Sequence, residues 1–188
     1  MEAFLISLTS VATAEMGDRT QLLALVLAAR FRKPWPIVAG VVCATIANHG
    51  VAGLIGAWVG KQLTPQRLDM LVGVSMIAMA LWTLKPDKLD DQQSETTHAG
   101  AFVATLIAFF IAEIGDKTQI ATVALAAAYP NLLAVISGTS CGMLLANIPV
   151  IFLGNAFAHR LPMKAIHYAA SALFLVIGII FVFRSGLL

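Results

Sequence analysis

The sequence predicts an all-α membrane protein with six transmembrane helices, arranged as two inverted-topology three-helix repeats. Three observations carry this reading. Of 188 residues, 59% are hydrophobic and only 12% charged. A soluble domain carries roughly 25% charged residues, so too little polar surface is left to face water. Apolar stretches of about 18 to 28 residues recur, long enough to cross a hydrocarbon core as helices. They are continuous rather than alternating, which selects helices over a barrel, the other backbone arrangement that lipid tolerates. Finally, an octapeptide returns. Residues 14–21 read AEMGDRTQ and residues 112–119 read AEIGDKTQ, with six of eight positions identical at an offset of 98.

The predicted spans run over residues 3–29, 35–59, 67–84, 100–128, 131–158 and 164–184. Pro34 and Pro36 open the second, Pro65 precedes the third, Pro130 opens the fifth and Pro162 precedes the sixth. Proline suits a helix start because its missing N–H would be unpaired there anyway. The polar segment 85–99, KPDKLDDQQSETTHA, is expected to be a linker between a first repeat at 1–84 and a second at 100–188.

Orientation follows from basic residues in short loops. One side holds the seven residues Arg30, Arg32, Lys33, Lys85, Lys88, Arg160 and Lys164, and the other the three residues Lys61, Arg67 and Arg184. The richer side is expected in the cytoplasm, with both termini outside and the linker inside. No cleavable leader is expected, since Glu2 stands in place of a basic start.

The offset persists beyond the octapeptide. Gly40 matches Gly138, Cys43 matches Cys141 and Gly56 matches Gly154, while Asn48 matches Asn147 after one inserted residue. Each copy holds an odd number of spans, so the second enters the membrane from the opposite side. Two halves related in this way pack in two inequivalent arrangements, and many secondary transporters place their substrate site between such halves.

Glu15, Asp18 and Arg19 fall inside the first span, and Glu113, Asp116 and Lys117 inside the fourth. Each charge costs at least about 2.5–3.5 kcal/mol at a helix centre in lipid, so six of them need a reason. In a continuous helix, Glu and Asp at i and i+3 share one face. Arg19 and Lys117, at i+4 from Glu15 and Glu113, are then placed to pair with their own glutamates as structural counter-charges. Gly17 and Gly115 permit close helix approach or a local break. Four carboxylates and two bases sum to two negative charges, which one divalent cation neutralises. Hard cations such as Ca²⁺ and Mn²⁺ take oxygen ligands. Thr20, Gln21, Thr118, Gln119, Asn48 and Asn147 are candidates for further oxygens or for gating.

Other residues read as structural. Cys43 and Cys141 lie in apolar runs and are expected as small fillers rather than a disulfide or zinc site. His49 reads as a packing residue with proton relay as the alternative. His98 and His159 read as solvated, and His167 as interfacial. Gly56-x-x-x-Gly60 and Gly138-x-x-x-Gly142 read as close-packing motifs.

The two motifs EMGDRT and EIGDKT match the Glu-hydrophobic-Gly-Asp-(Lys/Arg)-(Thr/Ser) signature of one family. The chain resembles the Golgi and chloroplast calcium/manganese transporters and bacterial manganese exporters, over two motifs, six spans and a polar central loop. The resemblance implies transport of Mn²⁺ or Ca²⁺ in exchange for H⁺, with Glu15, Asp18, Glu113 and Asp116 as cation-binding acids. It also implies export from the cytoplasm across a bacterial inner membrane. On this reading the chain is not an enzyme and needs no resident cofactor, the metal being cargo. Its partners are a divalent cation, protons and the lipid bilayer, with a homo-oligomer compatible and nucleic acid excluded. The alternatives are an exporter of a cationic organic solute such as an amino acid, and a membrane-embedded lipid phosphatase. The phosphatase would need an interfacial phosphate-binding cluster that the sequence lacks.

Overall fold

Glycine and aspartate break two of the expected spans at their charged motifs. In the computed structural model, which describes residues 1–84, 100–153 and 163–186, the first span is two helices, α1 (Glu2–Glu15) and α2 (Arg19–Phe31). After α3 (Pro34–Gln62) and α4 (Pro65–Thr83), the fourth span repeats the break as α5 (Ala101–Glu113) and α6 (Lys117–Ala128). The chain continues through α7 (Leu132–Leu153) and α8 (Met163–Ser185). The linker 85–99 lies outside the described residues. So do Gly154, His98, His159, Lys85, Lys88, Arg160 and the end of the fifth expected span.

The breaks have a local cause. Gly17 has φ +82° and Gly115 φ +73°, a left-handed conformation that only glycine adopts without strain. A helix cannot run through it. The aspartate that follows then serves as N-cap of the next helix. Asp18 accepts from the Arg19 N–H at 2.7 Å, and Asp116 accepts from the Thr118 N–H at 3.3 Å. Each satisfies one of the amides that a helix start leaves without a partner. The expectation that Glu and Asp share one helix face is therefore corrected. Each glutamate ends one helix and each aspartate begins the next.

Among the described residues, three helical segments, Pro34–Gln62, Leu132–Leu153 and His167–Ser185, are long and apolar enough to cross a membrane, and Ala101–Glu113 is a shorter apolar helix. The distribution of side chains agrees with a lipid surround. Large apolar groups such as Leu54, Trp58, Leu133 and Phe183 face outward, while Ser7, Glu15, Asp18, Asn48, Glu113, Asp116 and Lys117 are buried. A soluble protein shows the reverse.

Packing crosses between the two copies. α1 lies against α7, and α5 lies against α3. A Cβ on Gly138 would meet the Phe4 carbonyl oxygen at 2.5 Å, and one on Gly40 would meet the Phe102 carbonyl oxygen at 2.8 Å. Phe4 and Phe102 are themselves 98 positions apart, so the same contact is made twice. Gly142 abuts Leu8, while Gly56 and Gly60 abut Val123 and Ala127 of α6. The expected close-packing motifs are thus seats for neighbouring backbone. α4 and α8 pack on each other through Gly73 and Gly178. The cysteines depart from expectation. Both are free and exposed, so they sit on the outer surface and fill no interior space.

Candidate cation site

The two helix breaks meet inside the bundle and bring their charged side chains together. Carboxylate oxygens of Glu15, Asp18 and Asp116 all lie within 4.8 Å of one another. The three residues are 0%, 0% and 2% exposed. Three carboxylates this close repel strongly at low dielectric, so the cluster requires positive charge.

The bases supply it across the copies. Arg19 places a guanidinium nitrogen 3.1 Å from Asp116 Oδ1, and Lys117 places Nζ 3.0 Å from Asp18 Oδ2. This corrects the expected pairing of each base with the glutamate four residues before it. The broken helix removes the i, i+4 geometry, and each base reaches the aspartate of the other motif instead.

Each break is held by its own motif. Gln21 Oε1 accepts from the Gly17 N–H at 2.9 Å, and Gln119 Oε1 accepts from the Gly115 N–H at 2.7 Å. Gln21 Nε2 also donates to the Ala146 carbonyl at 2.9 Å, which ties the first break to α7. These carboxamide oxygens are committed to the loops, so the glutamines fix the breaks. Thr20 Oγ1 donates to Glu15 Oε1 at 2.7 Å, and Thr118 Oγ1 donates to Asp116 Oδ2 at 3.0 Å. The threonines orient the carboxylates from behind.

The fourth acid stands apart. Glu113 is buried but does not share the group of three. Its Oε1 accepts from Thr45 Oγ1 at 3.1 Å, and its Oε2 lies 4.0 Å from His49 Nε2. Among the described residues, neither ring nitrogen of the buried His49 has a hydrogen-bond partner, nor does Glu113 Oε2. The difference between the copies is written in α3 and α7. With the register that aligns Asn48 with Asn147, Thr45 and His49 correspond to Leu144 and Ile148. Glu113 therefore meets a threonine and a histidine where the other copy has leucine and isoleucine. The sequence signal for Thr45 and His49 is this difference between the copies, polar at both positions in α3 and apolar at both in α7.

The asparagines occupy unequal surroundings as well. Asn48 Nδ2 donates to the Phe110 carbonyl at 3.1 Å. Asn147 Nδ2 donates to the Met143 carbonyl at 3.0 Å, while its buried Oδ1 has no partner among the described residues. Glu15 Oε2 is likewise buried without a hydrogen-bond partner among the described residues.

A helical chain with an apolar exterior and charged groups gathered at two internal helix breaks belongs to the class of membrane proteins that handle ions. The comparisons specify that class. The sequence pattern of the family described as "Divalent cation/proton antiporter GDT1" matches residues 3–91 and 101–186, and the chain belongs to this family. It is a multi-pass membrane protein of transmembrane ion transport. A Vibrio cholerae protein named "Putative manganese exporter" is 50% identical over 180 residues, covering 95% of this chain and 90% of that protein. A Synechocystis GDT1-like protein is 26% identical over 202 residues, covering 96% of each chain. The Arabidopsis thaliana protein named PAM71, chloroplastic, is 28% identical over 197 residues, covering 87% of this chain and 52% of its own length. No solved structure matches the chain.

Proposed function

We propose that this chain exports Mn²⁺, with Ca²⁺ as a second substrate, from the cytoplasm across the inner membrane in exchange for H⁺. The observation that carries the reading is the buried triad of Glu15, Asp18 and Asp116, with oxygens within 4.8 Å of one another. Such a set offers hard oxygen ligands at the separation one ion can bridge, and no sulfur or imidazole that would favour softer metals. The manganese named for the Vibrio relative supports Mn²⁺ as the first substrate. Protons compete for the same oxygens, which makes ion and proton exclusive occupants and links their movements.

Residues 1–84 and 100–188 would act as two inverted three-helix units, giving six crossings with each broken pair counted as one. The linker would be cytoplasmic and both termini outside. The duplicated Gly–Phe contacts at Gly40 and Gly138 and the two matched breaks support this arrangement. Discontinuous helices at a site between repeats suit alternating access, in which one set of ligands faces each side in turn. Glu15, Asp18 and Asp116 would hold the ion, and Asn147 Oδ1 would add a neutral oxygen. Glu113, beside Thr45 and His49, would serve the exchange from the edge of the site.

The test is transport in proteoliposomes. Mn²⁺ and Ca²⁺ are offered in turn, with and without a pH gradient. Mn²⁺ movement driven by an opposing pH gradient is expected. Transport of a cationic amino acid with no response to either metal would contradict the proposal.

A further inference from the structure

Two of the three carboxylates that a transported ion needs are already paired with bases. Lys117 Nζ sits 3.0 Å from Asp18 Oδ2, with the two side chains 1% and 0% exposed. Arg19 holds Asp116 at 3.1 Å, but its side chain is 25% exposed. Lys117 is thus the sealed counter-charge of the cluster. A divalent ion binds carboxylate oxygen at about 2.1–2.6 Å. It cannot share Asp18 Oδ2 with an ammonium group without setting two cations against each other at low dielectric. Ion and ammonium are therefore alternatives at this oxygen. The lysine is a compact point charge on a flexible four-carbon stem.

We propose that Lys117 is a tethered competitor that makes the site select for charge: a divalent cation displaces its ammonium from Asp18, and a monovalent cation does not. This rests on reading Glu15, Asp18 and Asp116 as the cation ligands. The reason is electrostatic. A free Na⁺ or K⁺ replacing the ammonium brings the same single charge and must compete with a group held beside the carboxylate at high effective concentration. A divalent ion brings one charge more to three carboxylates and gains where the monovalent ion only exchanges. Lys117 thereby keeps abundant monovalent ions out while weakening divalent binding enough for release.

The test is calorimetric titration of the purified, detergent-solubilised full chain with Mn²⁺ at fixed pH and ionic strength, in choline chloride and in NaCl. For the wild-type chain, the same Mn²⁺ affinity in both salts is expected. For Lys117→Gln, affinity in choline should rise by about tenfold or more, a difference of roughly 1.4 kcal/mol per factor of ten, and NaCl should remove most of that gain. A purely structural lysine predicts weaker binding in both salts at an unchanged ratio, and that result overturns the inference. Should the variant not fold, the wild-type arm still decides: competition by Na⁺ beyond choline overturns the proposal, and its absence supports it. No Mn²⁺ binding by the folded wild-type chain would instead overturn the functional reading, and the displacement with it.

Discussion

Lys117 Nζ lies 3.0 Å from Asp18 Oδ2, and this buried pair joins the two copies of one motif. Removing one partner of a buried pair leaves an uncompensated charge, which costs about 3–5 kcal/mol. Lys117→Gln should therefore lower the thermal midpoint sharply, since it leaves three clustered carboxylates with one base fewer. The double variant Asp18→Asn/Lys117→Gln should lose less than the two single losses added together, since it strands neither charge. Thermal unfolding of the four proteins in detergent checks this. Strict additivity would mean that the pair is not coupled.

Gly115 has φ +73°, and a Cβ there would meet nothing within 4 Å. Any penalty for substitution is then a backbone penalty alone. Gly115→Ala should cost about 1–2 kcal/mol from the left-handed conformation. Gly115→Asn should cost less, because asparagine tolerates that region. Thermal midpoints of the two variants, ranked against wild type, provide the check. Equal midpoints for all three proteins would argue against a break that depends on glycine.

Two glycines of α3 should respond with opposite signs. Gly56 abuts the Val123 carbonyl of α6, whereas Gly50 faces open space. Gly56→Ala should destabilise by about 1–3 kcal/mol through overpacking. Gly50→Ala should stabilise by roughly 0.5–1 kcal/mol, the usual helix-interior difference between the two residues. The same unfolding assay reads both changes, and destabilisation by Gly50→Ala would contradict the packing described.

Much of this organisation is legible in the sequence. The repeated AEMGDRTQ and AEIGDKTQ, the offset of 98 and the prolines before helices place the charged motifs and most helix starts. Gly17 and Gly115 mark the breaks, but glycine within an apolar run signals either close approach or a turn, and only backbone conformation separates these. Pairing across the copies was not legible. A continuous-helix reading puts Arg19 over Glu15, and only the break sends it to Asp116. The separation of Glu113 from the other acids was equally hidden, because it depends on where Thr45 and His49 of α3 meet the end of α5.

That separation predicts different consequences for replacing the two glutamates. Glu15 belongs to the triad and Glu113 does not. Glu15→Gln should weaken Mn²⁺ binding by about tenfold or more, equivalent to at least roughly 1.4 kcal/mol. Glu113→Gln should retain most binding yet abolish transport. Calorimetry and proteoliposome flux on the same two preparations separate the effects. Equal loss of binding in both variants would return Glu113 to the ligand set.

The central claim is that one transported ion sits among Glu15, Asp18 and Asp116. Anomalous X-ray diffraction at the manganese edge, from crystals of the chain grown with Mn²⁺, tests it most directly. The expected result is a single anomalous peak within the bundle, at about 2.1–2.6 Å from carboxylate oxygens of all three residues. A peak elsewhere, with those carboxylates still paired to Lys117 and Arg19, would contradict it.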